Sequence, residues 1–175
     1  MKIGLVRHFK VEISFPSWKL LSKAEMEAWF EVYNAAPVQC EDLDLGEVSW
    51  TRKYTSPMRR ALLSAHHISK GNWMVEEALQ ELNVMPLLHT RWRWPLIVWA
   101  IWARMKYSAS NEVTDAFRQR IAQFVDELLS DGHQDTLIVS HGFVMICIRE
   151  ELIRRGFAGD KIRSPQYGRV YLFER

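Results

Sequence analysis

The residues best suited to chemistry follow three short apolar segments of the chain. Arg7 and His8 end the first segment, His141 ends another, and Arg60 lies in a helix expected after a third. Histidine is a nucleophile and a proton carrier near neutral pH, and the planar guanidinium of arginine donates to two oxygens of an anion at once. A cluster of these side chains repels itself unless an anion fills it. The residue types therefore predict a site for a phosphoryl group.

The elements that must position these residues are apolar strands that alternate with helices. The predicted strands are residues 2–6, 53–56, 136–140 and 169–174, and residues 73–82 are ambiguous but fit a strand followed by a loop. The predicted helices are residues 22–36, 57–71, 95–106, 111–132 and 143–156. Such alternation predicts a three-layer α/β/α fold, in which helices cover both faces of a mostly parallel sheet. Ligands bind beyond the carboxyl ends of the strands in such folds, so the cationic residues would meet there.

Residue types also mark the ends of two of these helices. Ser22, followed by Glu25 three residues later, has the pattern of a capping box, in which the two residues satisfy free N–H groups at a helix start. Pro57 suits the first turn of the next helix, and Gly71 suits its far end. We therefore expect one helix to begin at Ser22 and the next to begin at Pro57.

Length and charge narrow the class of protein. A chain of 175 residues predicts one domain, residues 1–175, with at most a modest insertion. The 23 Lys and Arg residues are nearly balanced by 21 Asp and Glu residues, whereas a nucleic-acid-binding protein would carry a strong basic excess. The segment RWRW at residues 91–94 could stack on bases, but it is a local pattern. No nucleic-acid partner is predicted.

The cysteines and the longest apolar run bear on location. Cys40 and Cys147 have no metal-binding spacing, so no zinc site is predicted, and a reducing, cytoplasmic location fits. The run at residues 94–103 is about half of the roughly 20 residues that span a membrane. It is predicted to be a core, lid or interface helix, and no membrane partner is expected. The N-terminal segment lacks the layout of a signal peptide.

Four short motifs, in order, resemble those of one enzyme family. They are LVRHF at residues 5–9, SPMRRA at 56–61, LQE at 79–81 and VSHG at 139–142. Through them the chain resembles the histidine phosphatase superfamily, in its phosphoglycerate-mutase-like branch. The resemblance implies the three-layer fold of that branch, no cofactor, and a small-molecule phosphate ester as substrate.

The resemblance also implies a role for each matched residue. His8 would be the nucleophile that attacks phosphorus and forms a phosphohistidine. Arg7 and Arg60 would bind the phosphoryl oxygens, and His141 would donate a further hydrogen bond to them. Glu81 would protonate the leaving oxygen and later activate water. No metal ion would be needed, because positioned cationic donors supply the electrostatic part of phosphoryl transfer.

The chain departs from the family pattern in three places. Phe9 replaces the glycine that usually follows the Arg-His pair, so its ring would wall the pocket or shift the loop. Ser14 stands where the family often has a phosphate-contacting asparagine, and its hydroxyl could take that role. After Glu81 the segment LNVMPLLHTRWRWP replaces the usual Gly-x-Trp-Glu-Gly run. Three other acids therefore compete with Glu81 for the role of proton donor: Glu76, Glu77 and Glu112.

The Trp-rich segment of residues 83–110 is predicted to be an insertion or a lid. Trp99 and Trp102 are three residues apart, so they would lie on one face of a helix. That face would belong to the core or to the interface of a homodimer. The arginines of the segment and His89 could reach the substrate.

Three functions fit these residues. The preferred one is a hydrolase, a metal-independent phosphatase of a small phosphomonoester. A phosphoglycerate-type mutase is the second, although mutases generally have longer chains with additional segments that close over the substrate. A phosphate-binding or regulatory module without turnover is the alternative from another class, and Phe9 and the altered loop after Glu81 keep it open.

Overall fold

The elements of the fold agree with the predicted alternation of strands and helices. The computed structural model describes residues 1–16, 19–83, 91–109, 111–130 and 132–175. The strands are β1 Lys2–Arg7, β2 Arg52–Thr55, β3 Met74–Val75, β4 Thr136–Ser140, β5 Ala158–Gly159 and β6 Val170–Glu174. The helices are α1 Lys23–Ala35, α2 Arg59–Ile68, α3 Leu96–Ala109, α4 Asn111–Ser130 and α5 Gly142–Arg154, with a 3₁₀ turn at Glu77–Leu79.

The strands of the described residues form one mixed sheet in the order β3-β2-β4-β1-β6-β5. Strands β3, β2, β4 and β1 pair in parallel, whereas β6 runs antiparallel to both β1 and β5. The predicted α/β fold with a mostly parallel sheet is therefore confirmed. The short strand β5 was not predicted, because two exposed residues carry no apolar pattern.

Strand β1 is buried on both faces because it lies in the middle of the sheet. Ile3 and Leu5 pack into the larger core with α4 and α5, whereas Val6 packs into a second core with α2. Gly4 faces this second core, where a Cβ atom would lie 2.7 Å from the ring of Trp50. A continuous apolar run is typical of a strand that is covered on both sides. Helices on both faces give the three layers.

Helix α4 buries the apolar stripe that its sequence predicts. Phe117, Ile121, Phe124 and Leu128 are buried in the larger core, against α5 and the sheet. The predicted stripe also included Val113, whose side chain lies outside the described residues. The helical spacing of these residues thus fixes which face of α4 meets the sheet.

Helix α1 begins at the predicted capping box. The Ser22 hydroxyl accepts from the backbone N–H of Glu25 at 3.3 Å, and the Glu25 carboxylate accepts from the backbone N–H of Ser22 at 2.9 Å. The Trp-rich segment packs against this helix start, since the Trp99 indole donates to the Leu21 carbonyl at 3.0 Å. Trp99 is only 2% exposed. This tryptophan is therefore a core residue between α1 and α3.

The predicted substrate contacts of the arginines and of His89 also concern the Trp-rich segment. Arg93 pairs with Glu25 at 2.7 Å, so its guanidinium is held at the start of α1. The predicted substrate contact of His89 lies outside the described residues. In the described part of the chain, no helix is both long enough and apolar enough to cross a membrane.

Candidate active site

The carboxyl ends of three neighbouring strands place the candidate residues at one edge of the sheet. Strand pairing sets Arg7 beside Ser140, and the backbone N–H of His8 donates to the Ser140 carbonyl at 3.0 Å. On the other side of β4, the backbone N–H of Ser56 donates to the Val139 carbonyl at 3.1 Å. The register of the parallel strands therefore brings together residues that are more than a hundred positions apart in sequence.

His8 is held as a neutral imidazole with a lone pair on Nε2. Its ring is 3% exposed, and Nδ1 lies 2.7 Å from the Phe9 carbonyl oxygen. A carbonyl oxygen only accepts, so Nδ1 carries the proton and donates it to this bond. The lone pair is then on Nε2, which accepts from Nε of Arg60 at 3.3 Å. This is the tautomer that a nucleophilic histidine needs.

The surroundings of His8 keep it neutral. Burial, together with the charges of Arg60 and Arg7, lowers the pKa of His8 from 6.5 to about 3, whereas the bond to the Phe9 carbonyl opposes the shift. The imidazole therefore stays neutral, with one proton on Nδ1, throughout the physiological pH range.

His141 lies beside His8 at the start of α5. The two ring centroids are 5.1 Å apart, and Nε2 of His141 lies 2.8 Å from the Ser56 hydroxyl. That hydroxyl accepts from the backbone N–H of Met58 at 3.3 Å, which leaves its hydrogen free to be donated to Nε2. In the tautomer in which Ser56 donates to Nε2, His141 carries its own proton on Nδ1, a buried atom with no hydrogen-bond partner among the described residues. Burial holds the pKa of His141 well below its usual value, and the charge of Arg60 acts in the same direction.

Arg7 presents a second buried donor to the same place. Its Nη1 donates to the Pro165 carbonyl at 2.8 Å, and its Nη2 donates to the Tyr167 hydroxyl at 2.8 Å. Its Nε is buried and has no partner among the atoms that the structure describes. A buried donor without a partner is unusual in a folded protein, so Arg7 and His141 both indicate a missing acceptor.

Arg60 completes the cationic cluster from the first turn of α2. Besides His8, it donates to the amide oxygen of Asn34 at 2.9 Å and to the sulfur of Met58 at 3.3 Å. Burial lowers the pKa of Arg60. Within the described ranges, no salt bridge joins either Arg7 or Arg60 to an acid. Two guanidinium groups at a desolvated strand edge without an ion-pair partner favour the binding of an anion.

Glu81 and Arg60 line the same cavity, which has a volume of about 790 Å³. One wall of the cavity is α1 from Lys23 to Asn34, another is the segment of residues 80–83, and Arg60 also lines it. Burial raises the pKa of the Glu81 carboxyl, although the backbone N–H of Leu82 and the charge of Arg60 oppose the rise. The cavity thus brings a carboxyl with a raised pKa close to an arginine of the cationic cluster.

The rival acids are placed differently. The Glu76 side chain caps the 3₁₀ turn by accepting from the backbone N–H of Ala78 at 2.9 Å, and Glu77 is exposed. The side chain of Glu112 lies outside the described residues. Of the three candidate acids whose side chains the structure describes, Glu81 is the one that lines the cavity.

Two further candidate residues lie outside the cluster. Ser14 is exposed on the loop between β1 and α1, and it makes no hydrogen bond to the cluster within the described ranges. Its predicted phosphate contact stays a prediction. Phe9 is 2% exposed and packs with Val11 and Val38 beneath the site, so its ring supports the loop and does not line the cavity.

The structure adds four polar residues that the sequence analysis did not single out. Ser56 belongs to the SPMRRA motif, and its position just after β2 could have identified it. The other three residues, Tyr33, Asn34 and Tyr167, lie on α1 and on a loop near the C-terminus, where no local pattern marks them. They reach the site only through the tertiary packing of α1 and of the loop before β6.

Comparison with known proteins identifies the family. Residues 39–173 match the model of the histidine phosphatase superfamily (branch 1), so the chain belongs to this superfamily. Arg7 and His8 precede the matched region, and the pairing of β1 with β4 is what joins them to it. No curated protein matches the chain.

Solved structures with the same fold include both mutases and phosphatases. Bacillus stearothermophilus YhfR is 16% identical, with a TM-score of 0.57, 99% of this chain covered and 90% of that chain covered. Phosphoglycerate mutase from Bacillus anthracis is 17% identical, with a TM-score of 0.54 and coverage of 89% and 81%. Phosphoserine phosphatase from Entamoeba histolytica is 17% identical, with a TM-score of 0.50 and coverage of 87% and 80%. These similarities establish the phosphoglycerate-mutase-like fold, and the superfamily match supports an enzyme.

Proposed function

We propose that this protein is a metal-independent phosphatase that hydrolyses a small phosphomonoester through a phosphohistidine on His8. The observation that carries the proposal is the pair of buried donors without partners, Arg7 Nε and His141 Nδ1, beside a histidine whose Nε2 is unprotonated. A phosphoryl group supplies three acceptor oxygens for such donors and a phosphorus atom for the histidine to attack.

Binding begins with an exchange of hydrogen bonds. In the free protein Arg60 Nε donates to the His8 lone pair at 3.3 Å. A bound phosphoryl group offers anionic oxygens in place of a neutral ring nitrogen, and the planar guanidinium can donate to two of them at once. Arg60 would turn to the phosphoryl oxygens and so release the lone pair. Arg7 and His141 would donate to the other oxygens.

The first chemical step transfers the phosphoryl group to the protein. Nε2 of His8 forms a bond to phosphorus while the bond between phosphorus and the leaving oxygen breaks. The Phe9 carbonyl accepts from Nδ1 and stabilises the positive charge that develops on the ring. Glu81 gives its proton to the leaving oxygen, and the alcohol departs.

The second step reverses the proton transfer. The Glu81 carboxylate takes a proton from water, whose oxygen attacks phosphorus as the bond to Nε2 breaks. Inorganic phosphate leaves, and the protonated Glu81 and neutral His8 are restored. A raised carboxyl pKa suits this exchange of acid and base roles.

The cavity limits the size of the substrate. A volume of about 790 Å³ suits a small molecule, and its walls carry both Lys23 and the acids Glu27 and Glu31. We infer that a small phosphate ester is the substrate, with its phosphoryl group toward Arg60 and its remaining part against α1.

The test is hydrolysis of a panel of small phosphomonoesters in the presence of EDTA. We expect wild type to release phosphate, His8→Ala to lose this activity, and His66→Ala to keep it, because His66 is exposed on α2. Interconversion of phosphoglycerates that exceeds their hydrolysis would identify a mutase instead. Absence of turnover on every ester, or full activity of His8→Ala, would contradict the proposal.

A further inference from the structure

Tyr167 contacts the Arg7 side chain with both its hydroxyl and its ring. Its hydroxyl accepts from Arg7 Nη2 at 2.8 Å, and the guanidinium carbon lies 3.7 Å from the centre of its ring. The ring centroid of Tyr167 is also 5.4 Å from that of His8. Tyr167 lies between β5 and β6, far in sequence from the motifs of the family. It is therefore a neighbour of the nucleophile that no motif marks.

A second tyrosine links Tyr167 to the other arginine. Burial raises the pKa of Tyr33, and the neighbouring Tyr167 acts in the same direction, so the two tyrosines lie close together. The guanidinium carbon of Arg60 lies 5.3 Å from the centre of the Tyr33 ring, and Tyr33 also lines the cavity. The two tyrosines thus connect Arg7, at the end of β1, with Arg60 and α1.

The Phe9 ring packs against the loop that carries Tyr167. Gly168 adopts a left-handed conformation with φ +56, and its backbone N–H donates to the Arg7 carbonyl at 3.0 Å. A Cβ atom on Gly168 would lie 2.7 Å from the Phe9 ring. The bulky residue after the Arg-His pair therefore packs directly under the residue that follows Tyr167. This contact accounts for the side chain at position 9.

We propose that Tyr167 is a positioning residue, which holds the Arg7 guanidinium by its hydroxyl and its ring so that Nε points to the phosphoryl group. The inference rests on the proposed function, because it assigns Arg7 to phosphoryl binding. With Nη1 bonded to Pro165 and Nη2 to Tyr167, Nε is the nitrogen of Arg7 that lacks a partner among the described residues. An arginine fixed in this way needs little rearrangement when the anion arrives.

Binding of inorganic phosphate and of vanadate, followed by calorimetry, tests the inference without a known substrate. Tyr167→Phe keeps the ring and removes the acceptor of Arg7 Nη2. We expect it to bind both anions about tenfold more weakly than wild type, the usual effect of losing one hydrogen bond to a charged group. Tyr54→Phe, in β2 and outside the site, should bind as wild type does. Thermal unfolding should show that both variants are folded.

A second background separates positioning from a general structural effect. Arg7→Lys removes the guanidinium that Tyr167 holds, so adding Tyr167→Phe to it should weaken phosphate binding by less than about twofold. A further tenfold loss in that background would overturn the inference.

The remaining outcomes are also distinct. If wild type binds neither anion, the proposed function fails along with the inference. If wild type binds and Tyr167→Phe binds equally well, the inference alone fails. Tighter binding by Tyr167→Phe would also overturn it, because the tyrosine hydroxyl would then compete with the anion for Arg7.

Discussion

The burial of a neutral histidine predicts that the protein loses stability in mild acid. His8 has a pKa of about 3 in the folded protein, against about 6.5 in the unfolded chain. Because its folded pKa is lowered, the folded state binds fewer protons than the unfolded state at pH values between these two. Its contribution to stability is therefore complete above about pH 6.5 and is lost as the pH falls toward about 3.

The size of this loss follows from the two pKa values. Each pH unit between them changes the free energy of unfolding by about 1.4 kcal/mol. Between about pH 7.5 and about pH 5, His8 alone should therefore lower it by about 2 kcal/mol. His141 acts in the same direction, because its pKa also lies well below the usual value.

Urea unfolding at the two pH values, followed by tryptophan fluorescence, measures this effect. His8→Gln removes the titrating group, so the variant should lose about 2 kcal/mol less than wild type on moving to the lower pH. The comparison between proteins cancels the titration of other groups. Buffers should contain neither phosphate nor sulfate, which would bind the site. His66→Gln, in which an exposed histidine is changed, should lose as much stability as wild type.

Equal losses in wild type and His8→Gln would refute the reasoning. They would mean that His8 is protonated as easily in the folded protein as in the unfolded chain. The lone pair on Nε2 would then be unavailable in mild acid, and the nucleophilic role of His8 would lose its electrostatic basis.

Three further predictions concern the acid, the loop and the wall of the cavity. Glu81→Gln should lower turnover of alkyl phosphates by roughly a hundredfold or more. Turnover of p-nitrophenyl phosphate should fall much less, because nitrophenolate leaves without a proton. Equal losses on both substrates in steady-state assays would contradict the acid role. Gly168→Ala should lower the free energy of unfolding by about 1–3 kcal/mol in urea, because the new Cβ would lie 2.7 Å from the Phe9 ring. An unchanged urea midpoint would show that the contact is absent. Ser22→Ala should lower the free energy of unfolding by about 1 kcal/mol, because the helix cap is lost, and Ser22→Thr should lower it less. Identical unfolding of the two variants would mean that the capping box contributes nothing.

Much of the fold follows from local patterns in the sequence. Residues 136–140 enclose the apolar run at 137–139, and they form β4 as predicted. The spacing of Phe117, Ile121, Phe124 and Leu128 gives the buried face of α4. Ser22 and Glu25 form the predicted capping box. These features are set by residues within a few positions of each other, so a single sequence is enough to find them.

The orientation of the last strand and the surroundings of the site depend on long-range packing. Strand β6 reads as an ordinary apolar strand, and only its pairing with β1 makes it antiparallel. Tyr33 and Tyr167 are far apart in sequence, and they meet because α1 packs against Arg60 and the loop before β6 packs against Arg7. No periodicity or motif encodes such a meeting.

Phe9 illustrates the limit of comparing a sequence with a family pattern. Its departure from the usual glycine was visible, but its effect could not be read from neighbouring residues. The sequence predicts either a wall of the pocket or a shifted loop. The ring instead packs with Val11 and Val38 and contacts Gly168, so it supports the loop that carries Tyr167.

The most direct test of the central claim is to trap the phosphorylated protein. Wild type is mixed with excess p-nitrophenyl phosphate, quenched within one turnover into alkaline denaturant, which preserves phosphohistidine, and analysed by mass spectrometry of its peptides. We predict one phosphoryl group on His8, and none on the same peptide of His8→Ala. Hydrolysis that proceeds without a phosphorylated protein, or with the phosphoryl group on another residue, would contradict it.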